Sequence, residues 1–368
     1  MMQEINKENL LKTLSRVEDP DFKKDLVSLK MIDDIEVEPG KISFTVVLTT
    51  MACPLKDKIK QDCVEAIKQD WGNDYNINIS FDSRITSNRK EAKDMLPNVK
   101  NIIAVASGKG GVGKSTIAVN LAISMAKTGA KVGLIDADIY GPSIPLMMGL
   151  KGKRPKVQKI EDKHYILPIE QYGVKCLSIG FLIDEKQAVV WRGPMVSSAL
   201  KQFVTDCIWG DLDYLILDLP PGTGDIHLTL VQTIPVTGAV IVTTPQEVAI
   251  ADARKAIGMF QMPNINVPII GIAENMSYFT PAELPDKKYY LFGKDGGRKT
   301  AEEYEVPFLG QIPIEEKLCE AGDQGKPSVL YGNEIVRKSF INLAANAERF
   351  IAIRNASLSA TKAVEINQ

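Results

Sequence analysis

A glycine- and lysine-rich stretch, SGKGGVGKST at residues 107–116, has the residue types that bind a phosphate chain. It satisfies the pattern G-x-x-x-x-G-K-[ST] through Gly108, Gly113, Lys114 and Ser115. Glycines let consecutive backbone N–H groups turn inward on an anion. The lysine reaches the β- and γ-phosphates, and the hydroxyl can hold Mg²⁺. We therefore expect ATP to be bound by Gly108, Lys109, Gly110, Gly111, Val112, Gly113, Lys114, Ser115 and Thr116.

Three aspartates follow buried strands that the apolar pattern predicts at Val132–Ile135 and Tyr214–Leu217. Asp136 and Asp138 come after the first strand, and Asp218 after the second. Ligands gather at the carboxyl ends of parallel strands, and Mg²⁺ prefers one or two carboxylates with phosphate oxygens and waters. We expect Asp136 and Asp218 to serve Mg²⁺ together with the loop serine. Asp138 is expected to orient or deprotonate the attacking water.

Strands and helices alternate along the chain from about residue 100, which predicts the α/β class. Apolar strands are predicted at Ile102–Ala106, before the phosphate loop, and at Ala239–Thr243 and Ile269–Ala273. Helices are predicted at 115–127, Val196–Val204, Ala249–Phe260 and Glu334–Arg354. We expect a P-loop NTPase fold, with a mainly parallel sheet and helices on both of its faces.

The first 81 residues predict a separate small α+β domain. A helix at about Lys7–Arg16 precedes two strands, near 33–37 and 42–50. A second helix is expected from Pro54, and a strand at Asn76–Phe81 follows. The expected organisation is a small domain at 1–81, a polar linker at 82–99, an ATPase domain at 100–355 and a loose tail at 356–368.

Composition and charge exclude several other classes of protein. The net charge is −2, so no global basic field attracts nucleic acid or an anionic membrane. The five cysteines form an odd number, which argues against a disulfide framework. The first residues lack the apolar core of a signal peptide, and no apolar run approaches the ~20 residues of a membrane span. We expect a cytoplasmic protein without membrane or nucleic-acid partners.

A second lysine, Lys109, follows the first glycine of the loop, where an ordinary phosphate loop needs none. With this lysine, the loop and the aspartates resemble the deviant-loop ATPases of the MinD, ParA and nitrogenase-iron-protein class. In that class the corresponding lysine reaches across a dimer to the partner's nucleotide. The resemblance implies a slow, homodimeric ATPase whose catalytic side chains are Lys109, Lys114, Asp138 and Asp218.

Further motifs resemble the Mrp-type iron–sulfur cluster carriers, also called ApbC, over about residues 100–350. The motifs, in chain order, are DADIYGPSIPLMMG (136–149), WRGPMVSSALKQF (191–203), LDYLILDLPPGTGD (212–225), TTPQEVAIADARKAI (243–257) and ENMSYF (274–279). LSRVEDPDFKKDLVSLKMI (14–32) and TTMACPLKD (49–57) resemble the small domain of iron–sulfur assembly factors. The resemblance implies an iron–sulfur cluster as cargo, with cluster donors and apo-proteins as partners. It also implies that Asn275 contacts the adenine and that Pro313 lies near the base.

The chain departs from this family at the cluster ligands. Members usually have C-x-x-C shortly after MSYF, whereas Pro281 and Leu284 stand at those positions here, and no C-x-x-C occurs in the sequence. Thiolates are the usual ligands of such clusters. Cys53 is the remaining candidate, because it precedes Pro54 at a predicted helix start, where the helix field lowers the pKa of a thiol. A cysteine there can equally cap the helix.

Three functions stay open at this point. The first is an ATPase that assembles, carries or delivers iron–sulfur clusters. The second is an ATP-switched scaffold or chaperone of the same pathway that holds no cluster, which the missing C-x-x-C favours. The third is a positioning ATPase like ParA or MinD. Its membrane form needs an amphipathic tail and its DNA-binding form a basic patch, and neither is indicated by the sequence.

Overall fold

The computed structural model describes residues 5–50, 53–89, 96–138, 141–182, 193–281, 283–284 and 286–361. The chain divides into two compact units, one up to residue 86 and one from residue 87 onward. Each unit has a hydrophobic core of its own.

The N-terminal unit is a small α+β structure built on a three-stranded sheet. The sheet has the order β3-β4-β5, with β3 antiparallel and β5 parallel to β4. Its elements are α1 (Lys7–Leu14), β1 (Glu18–Asp19), β2 (Lys24–Asp25), β3 (Ile32–Glu38), β4 (Lys41–Leu48), α2 (Lys56–Trp71) and β5 (Asn76–Ser83). Gly40, with a φ of 76°, makes the turn between β3 and β4.

The helix α2 presents one apolar stripe to this sheet. Ile59, Cys63 and Ile67 recur every four residues along α2, and all three are fully buried in the core of the unit. The expected helix start at Pro54 is wrong by two residues, because α2 begins at Lys56 and its N-cap is Leu55. The stripe itself agrees with the apolar spacing in the sequence.

The second unit contains a long series of alternating strands and helices. Its elements are β6 (Val99–Ala106), α3 (Lys114–Lys127), β7 (Val132–Asp136), α4 (Ile144–Met147), β8 (Lys156–Ile160), β9 (Lys163–Leu167), β10 (Ile169–Gln171), β11 (Val174–Ser178), α5 (Gly193–Thr205), β12 (Leu212–Asp218), α6 (Asp225–Thr233), β13 (Gly238–Thr243), α7 (Glu247–Gln261), β14 (Ile269–Glu274), α8 (Gly296–Glu303), β15 (Phe308–Gln311), α9 (Glu316–Asp323), α10 (Ser328–Tyr331) and α11 (Glu334–Ser357).

Eight of these strands form one sheet of order β10-β11-β7-β12-β6-β13-β14-β15. Every neighbouring pair is parallel except the edge pair β10–β11. The strands β7, β12 and β6, which lead to the acidic segments and the phosphate loop, are therefore adjacent in the middle of the sheet. Their carboxyl ends meet at one edge of the sheet, which is where doubly wound sheets bind their ligands.

Helices cover both faces of this sheet. Along β6, Ile102, Ala104 and Ala106 belong to a core cluster that also contains residues of α5 and α7. The alternate side chains Ile103 and Val105 point to the opposite face, where α3 packs against β6 and α11 packs against α3. The expected α/β fold with a mainly parallel sheet is confirmed.

The expected linker and tail are shorter than the sequence suggested. The strand β5 extends through Ser83 and β6 begins at Val99, so both ends of the expected linker 82–99 lie in strands. The final helix ends at Ser357 rather than Arg354, and the backbone N–H of Thr361 donates to the carbonyl of Asn88 at 2.8 Å. The expectation of a loose tail is therefore wrong for residues 356–361, and residues 362–368 lie outside the described part of the chain.

Candidate functional site

The phosphate loop joins β6 to the N-terminus of α3. This helix begins at Lys114, and its N-cap Gly113 has a φ of 80°, a conformation that favours glycine. A Cβ atom at Gly113 would overlap the side-chain amide of Asn275, and one at Gly108 would overlap the backbone carbonyl of Asp252 on α7. Close packing thus requires glycine at both ends of the loop and leaves the helix N-terminus open toward the sheet edge.

Lys114 and Asp218 form a buried ion pair beneath the loop. The Lys114 Nζ lies 2.7 Å from Asp218 Oδ1, and only 6% of the lysine side chain is exposed. The second oxygen, Asp218 Oδ2, is buried without a hydrogen-bond partner among the described residues. Asp138 Oδ2 lies 3.9 Å from the same Nζ, and Lys114 also donates to Ser115 Oγ at 3.3 Å. One ammonium group therefore connects three of the predicted site residues.

Asp136 lies directly beside Asp218 in the sheet. The two residues are register partners of the parallel strands β7 and β12. The Asp136 Oδ2 atom accepts hydrogen bonds from Ser178 Oγ at 2.9 Å and from the backbone N–H of Ile144 at 3.2 Å. Oδ1 accepts from the backbone N–H of Asp138 at 3.2 Å. Asp136 is thus buried and held in place by the ends of β11 and α4.

Burial dominates the electrostatics of this carboxylate pair. Removal from water, together with the negative charge of Asp218, raises the pKa of Asp136 to about 8, against the opposing effect of the Ser178 hydrogen bond. Burial also raises the pKa of Asp218, while the Lys114 charge opposes that rise. Asp136 and Asp218 are buried neighbours, and a buried negative charge without a partner is costly. An added cation between them and the cavity would therefore be favourable.

An open cavity of about 240 Å³ lies above this cluster. Its walls come from the loop and from the segments that follow β7 and β12, and the lining side chains include Lys109, Lys114, Ser115, Asp138, Met147 and Pro221. Lys109 is half-buried at the cavity wall and makes no ion pair with any described residue. This second lysine is therefore available for a charge that the described part of the chain does not supply.

The donor set of this cavity suits a magnesium-bound nucleotide. The turned glycine loop and the open N-terminus of α3 supply N–H groups to phosphate oxygens. Ser115 Oγ and the unpartnered, buried Asp218 Oδ2 are hard oxygen donors of the kind that Mg²⁺ takes. The sheet register puts Asp136 beside Asp218, although its oxygens already accept three hydrogen bonds. The residues present therefore fit both the cation and the phosphate chain.

The two residues expected near the base have different surroundings. Asn275 is buried, and its Nδ2 donates to the carbonyl of Val112 at 2.9 Å, so the side chain supports the phosphate loop from behind. Pro313 is buried just after β15. Contact of either residue with the adenine stays a prediction.

The cysteines are dispersed, and the described residues contain no group of three or more His, Cys, Asp or Glu side chains that could hold a metal ion. Cys53 is half-buried in the turn before α2, three residues ahead of Lys56, so the expected position at a helix N-terminus is wrong. Its side chain packs against the N-terminal core. Pro281 is half-buried and Leu284 is 42% exposed. The side chain of Cys319 lies outside the described residues.

Sequence reasoning missed three contributors to the site. Met147 and Pro221 line the cavity, and Ser178 holds Asp136 in place. Met147 and Pro221 belong to the motifs DADIYGPSIPLMMG and LDLPPGTGD, so proximity to the predicted aspartates could have indicated them. Ser178 lies 42 residues from Asp136 in sequence, and no local pattern connects the two.

Among the helices in the described part of the chain, none combines the length and the apolar character needed to cross a lipid bilayer.

Comparison with known proteins identifies the family of the chain. The family model described as NUBPL iron-transfer P-loop NTPase matches residues 98–347, and the model described as iron-sulfur cluster assembly protein matches residues 7–79. A Synechocystis sp. protein named iron-sulfur cluster carrier protein is 49% identical over 326 residues, 87% of this chain and 90% of that protein. The protein of the same name from Escherichia coli strain K12 is 43% identical over 325 residues, 86% of this chain and 85% of that protein.

A solved structure has the same fold. The nucleotide-binding protein from Archaeoglobus fulgidus, solved in complex with ADP, is 39% identical, with a TM-score of 0.56 over 64% of this chain and 90% of that one. The resemblance to the Mrp-type carriers that the motifs indicated is thereby confirmed. The chain belongs to the family of NUBPL iron-transfer P-loop NTPases and begins with a segment of the iron–sulfur cluster assembly type.

Proposed function

We propose that this chain is a homodimeric, cytoplasmic ATPase that assembles, carries or delivers iron–sulfur clusters to apo-proteins. The observation that carries the ATPase part is the buried Lys114–Asp218 pair beneath an open phosphate loop, with Lys109 on the cavity wall. The relatives named iron-sulfur cluster carrier proteins, which cover nearly the whole chain, support the cluster as cargo. The odd cysteine count supports a reducing compartment.

Each site residue has a separate task in hydrolysis. Lys114 exchanges its contact with Asp218 for the β- and γ-phosphates, which frees the carboxylate for the cation. Ser115 and Asp218 would hold Mg²⁺, and Asp136 would support that arrangement from the neighbouring strand. Bound Mg²⁺ neutralises charge on the phosphate oxygens. Asp138, 3.9 Å from the Lys114 ammonium, orients the attacking water.

Lys109 acts on the nucleotide of the second subunit. A cation supplied in trans stabilises the charge of the transferring phosphoryl group, as an arginine finger does. The described residues give Lys109 no ion-pair partner, which supports this role. ATP binding then holds the two subunits together, and hydrolysis loosens them.

The ATPase proposal is tested by two lysine variants and a matched control. Lys114→Ala should abolish hydrolysis and weaken Mg-ATP binding, whereas Lys109→Ala should keep Mg-ATP binding and lose hydrolysis by about 10³-fold, the lower end for a trans cation. Lys127→Ala, at the far end of α3, should leave both unchanged. Isothermal titration and phosphate release measure the two properties. Normal hydrolysis by Lys114→Ala would reject the assignment.

The missing C-x-x-C favours a second candidate, an ATP-switched scaffold or chaperone that holds no cluster itself. Pro281 and Leu284 offer no thiolate, and the described residues contain no alternative metal group. Cys53 could supply one ligand from each subunit of a dimer, with clients or small thiols supplying the rest. Under the scaffold reading, client proteins bind in the absence of iron.

Iron and sulfide content after anaerobic reconstitution separates the two candidates. A carrier should retain both, and Cys53→Ser should lose them if this thiolate is a ligand. Cys63→Ser, at a buried core position, is the matched control. If wild type holds neither iron nor sulfide, with or without nucleotide, the scaffold function replaces the carrier function.

A further inference from the structure

The hairpin β8–β9 forms a basic, exposed arm on the second unit. Residues 151–167, which we call the basic arm, contain six lysine or arginine side chains and two acidic ones, a net charge of +4 in a chain whose net charge is −2. Every residue of β8 is exposed. Lys153, Arg154, Lys156 and Lys163 make no ion pair within the described part of the chain, and Lys159 pairs with Asp162 at 3.5 Å.

One strand of the basic arm is anchored and the other is open. In β9, the N–H of Ile166 donates to the carbonyl of Asp206 at 2.7 Å, and its carbonyl accepts from the N–H of Ile208 at 2.9 Å. The strand β8 pairs with β9 in a two-stranded sheet, and none of the other described strands pairs with it. The outer edge of β8 therefore presents unpaired backbone groups that could accept a further strand.

Exposed aliphatic side chains lie among the lysines of this open edge. Val157 is 61% exposed and Ile160 is 42% exposed. Lysines alone would serve to protect an edge strand from unwanted pairing. Exposed valine and isoleucine do not protect the edge, because their apolar side chains favour contact with the apolar side chains of an added strand. Each face of β8 carries both types, Lys156 with Ile160 on one face and Val157 with Lys159 on the other, which matches a strand with acidic and aliphatic side chains on both faces.

The two ends of the basic arm lead to the nucleotide site. On its N-terminal side, the first residue of α4, Ile144, donates its backbone N–H to Asp136 Oδ2. On its C-terminal side, the chain continues through β10 to the end of β11, where Ser178 Oγ donates to the same oxygen. A partner bound on the basic arm is thus connected by short segments at both ends to one carboxylate of the site.

We propose that the open edge of β8 docks an extended acidic segment of a partner protein by adding it as a strand. The backbone groups of β8 would supply affinity, and Lys156 and Lys159 would select carboxylates. A nucleic acid fits less well, because five of the six basic side chains are lysines and Glu161 and Asp162 lie at the tip of the hairpin. The proposal depends neither on ATP hydrolysis nor on the cluster cargo proposed above.

The experiment measures binding of labelled probes to the full chain by fluorescence anisotropy. The probe is a synthetic peptide of glutamate, valine and threonine in which glutamates occur on both faces of the extended strand. A second peptide replaces inner residues with proline and cannot pair as a strand, and a third replaces every glutamate with lysine. The first peptide should bind at low salt and weaken at high salt, and the other two should not bind.

The variant K156E/K159E should bind the acidic peptide at least about ten-fold more weakly, since two favourable cross-strand pairs become repulsive. The variant K299E/K338E changes the net charge equally at exposed sites outside the basic arm and should bind like wild type. Mg-ADP affinity should be the same in all three proteins, which checks folding. Equal binding by K156E/K159E, equal binding of the proline peptide, or tighter arm-dependent binding of duplex DNA would each overturn the proposal.

Discussion

Lys114 and Asp218 neutralise each other with almost no exposure to water, so loss of one charge should be costly. In Asp218→Asn, the buried ammonium keeps only the more distant Asp138 as a described carboxylate partner. Removing one member of a buried pair costs about 3 kcal/mol or more in the free energy of unfolding. Urea unfolding measures this loss. Asp162→Asn, at an exposed ion pair, is the control and should show no measurable change; equal stability of the two variants would contradict the account.

The thiols should differ in reactivity according to burial. Burial raises the pKa values of Cys63 and Cys207 to about 12, and it raises the pKa of Cys176 further. At pH 8 a thiol with a pKa near 12 is only about 10⁻⁴ thiolate, and this fraction rises with pH. Half-buried Cys53 should therefore react with iodoacetamide first among these four cysteines.

Mass spectrometry of peptides after a short reaction gives the order of labelling. All four thiols should label at similar rates in urea, which controls for intrinsic reactivity. Labelling of Cys63 as fast as Cys53 in the native protein would show that the N-terminal core opens more readily than its complete burial implies.

Residues of the site could be predicted from the sequence where their chemistry is local. The phosphate loop is a continuous motif, and Asp136 and Asp218 each end an apolar strand, so their proximity follows from the parallel sheet. The bond from Asn275 to the Val112 carbonyl joins residues far apart in sequence and could not be predicted. The predicted position of Cys53 at a helix start is wrong, because α2 begins two residues after Pro54 and not at this proline.

At the scale of elements, burial decides what the sequence reveals. The central strands are nearly all apolar, and β6, β12, β13 and β14 lie within a few residues of their predicted positions. The sequence does not predict β8 and β9, because β8 is exposed throughout and its apolar residues, Val157 and Ile160, lack the period of two on which strand prediction depends. The short helix α4 was missed for a related reason, since four residues contain no complete apolar period.

Ser178 fixes the end of β11 to the site, so its removal should loosen this connection. In Ser178→Ala, Asp136 loses a donor and the backbone N–H of Gly180 loses an acceptor that now lies 3.0 Å away. Buried groups left without partners cost about 1–3 kcal/mol in the free energy of unfolding. Thermal unfolding should show this loss, whereas Ser357→Ala, which removes an exposed bond within α11, should show little. Identical melting of both variants would remove Ser178 as an anchor.

At the scale of the whole chain, only the second unit contains the nucleotide site, and each unit has its own core. Ligand binding stabilises the folded state that binds it, by about 2.7 kcal/mol at about 100 times the dissociation constant. We therefore expect Mg-ADP to raise the unfolding temperature of the second unit alone. Calorimetry of the full chain should show two unfolding transitions. Mg-ADP should raise the temperature of one, and the other should have the unfolding temperature of a fragment of residues 1–86.

Lys114→Ala is the control that ties this shift to the phosphate loop. The variant should keep the transition of the N-terminal unit, since that core contains no residue of the site. It should lose the nucleotide-dependent shift, because the proposed role of Lys114 is to contact the phosphates. Mg-ADP could instead shift both transitions in wild type and neither in the variant. That result would contradict the expectation, because it would mean that the two units unfold cooperatively and that the N-terminal unit responds to nucleotide binding at the phosphate loop.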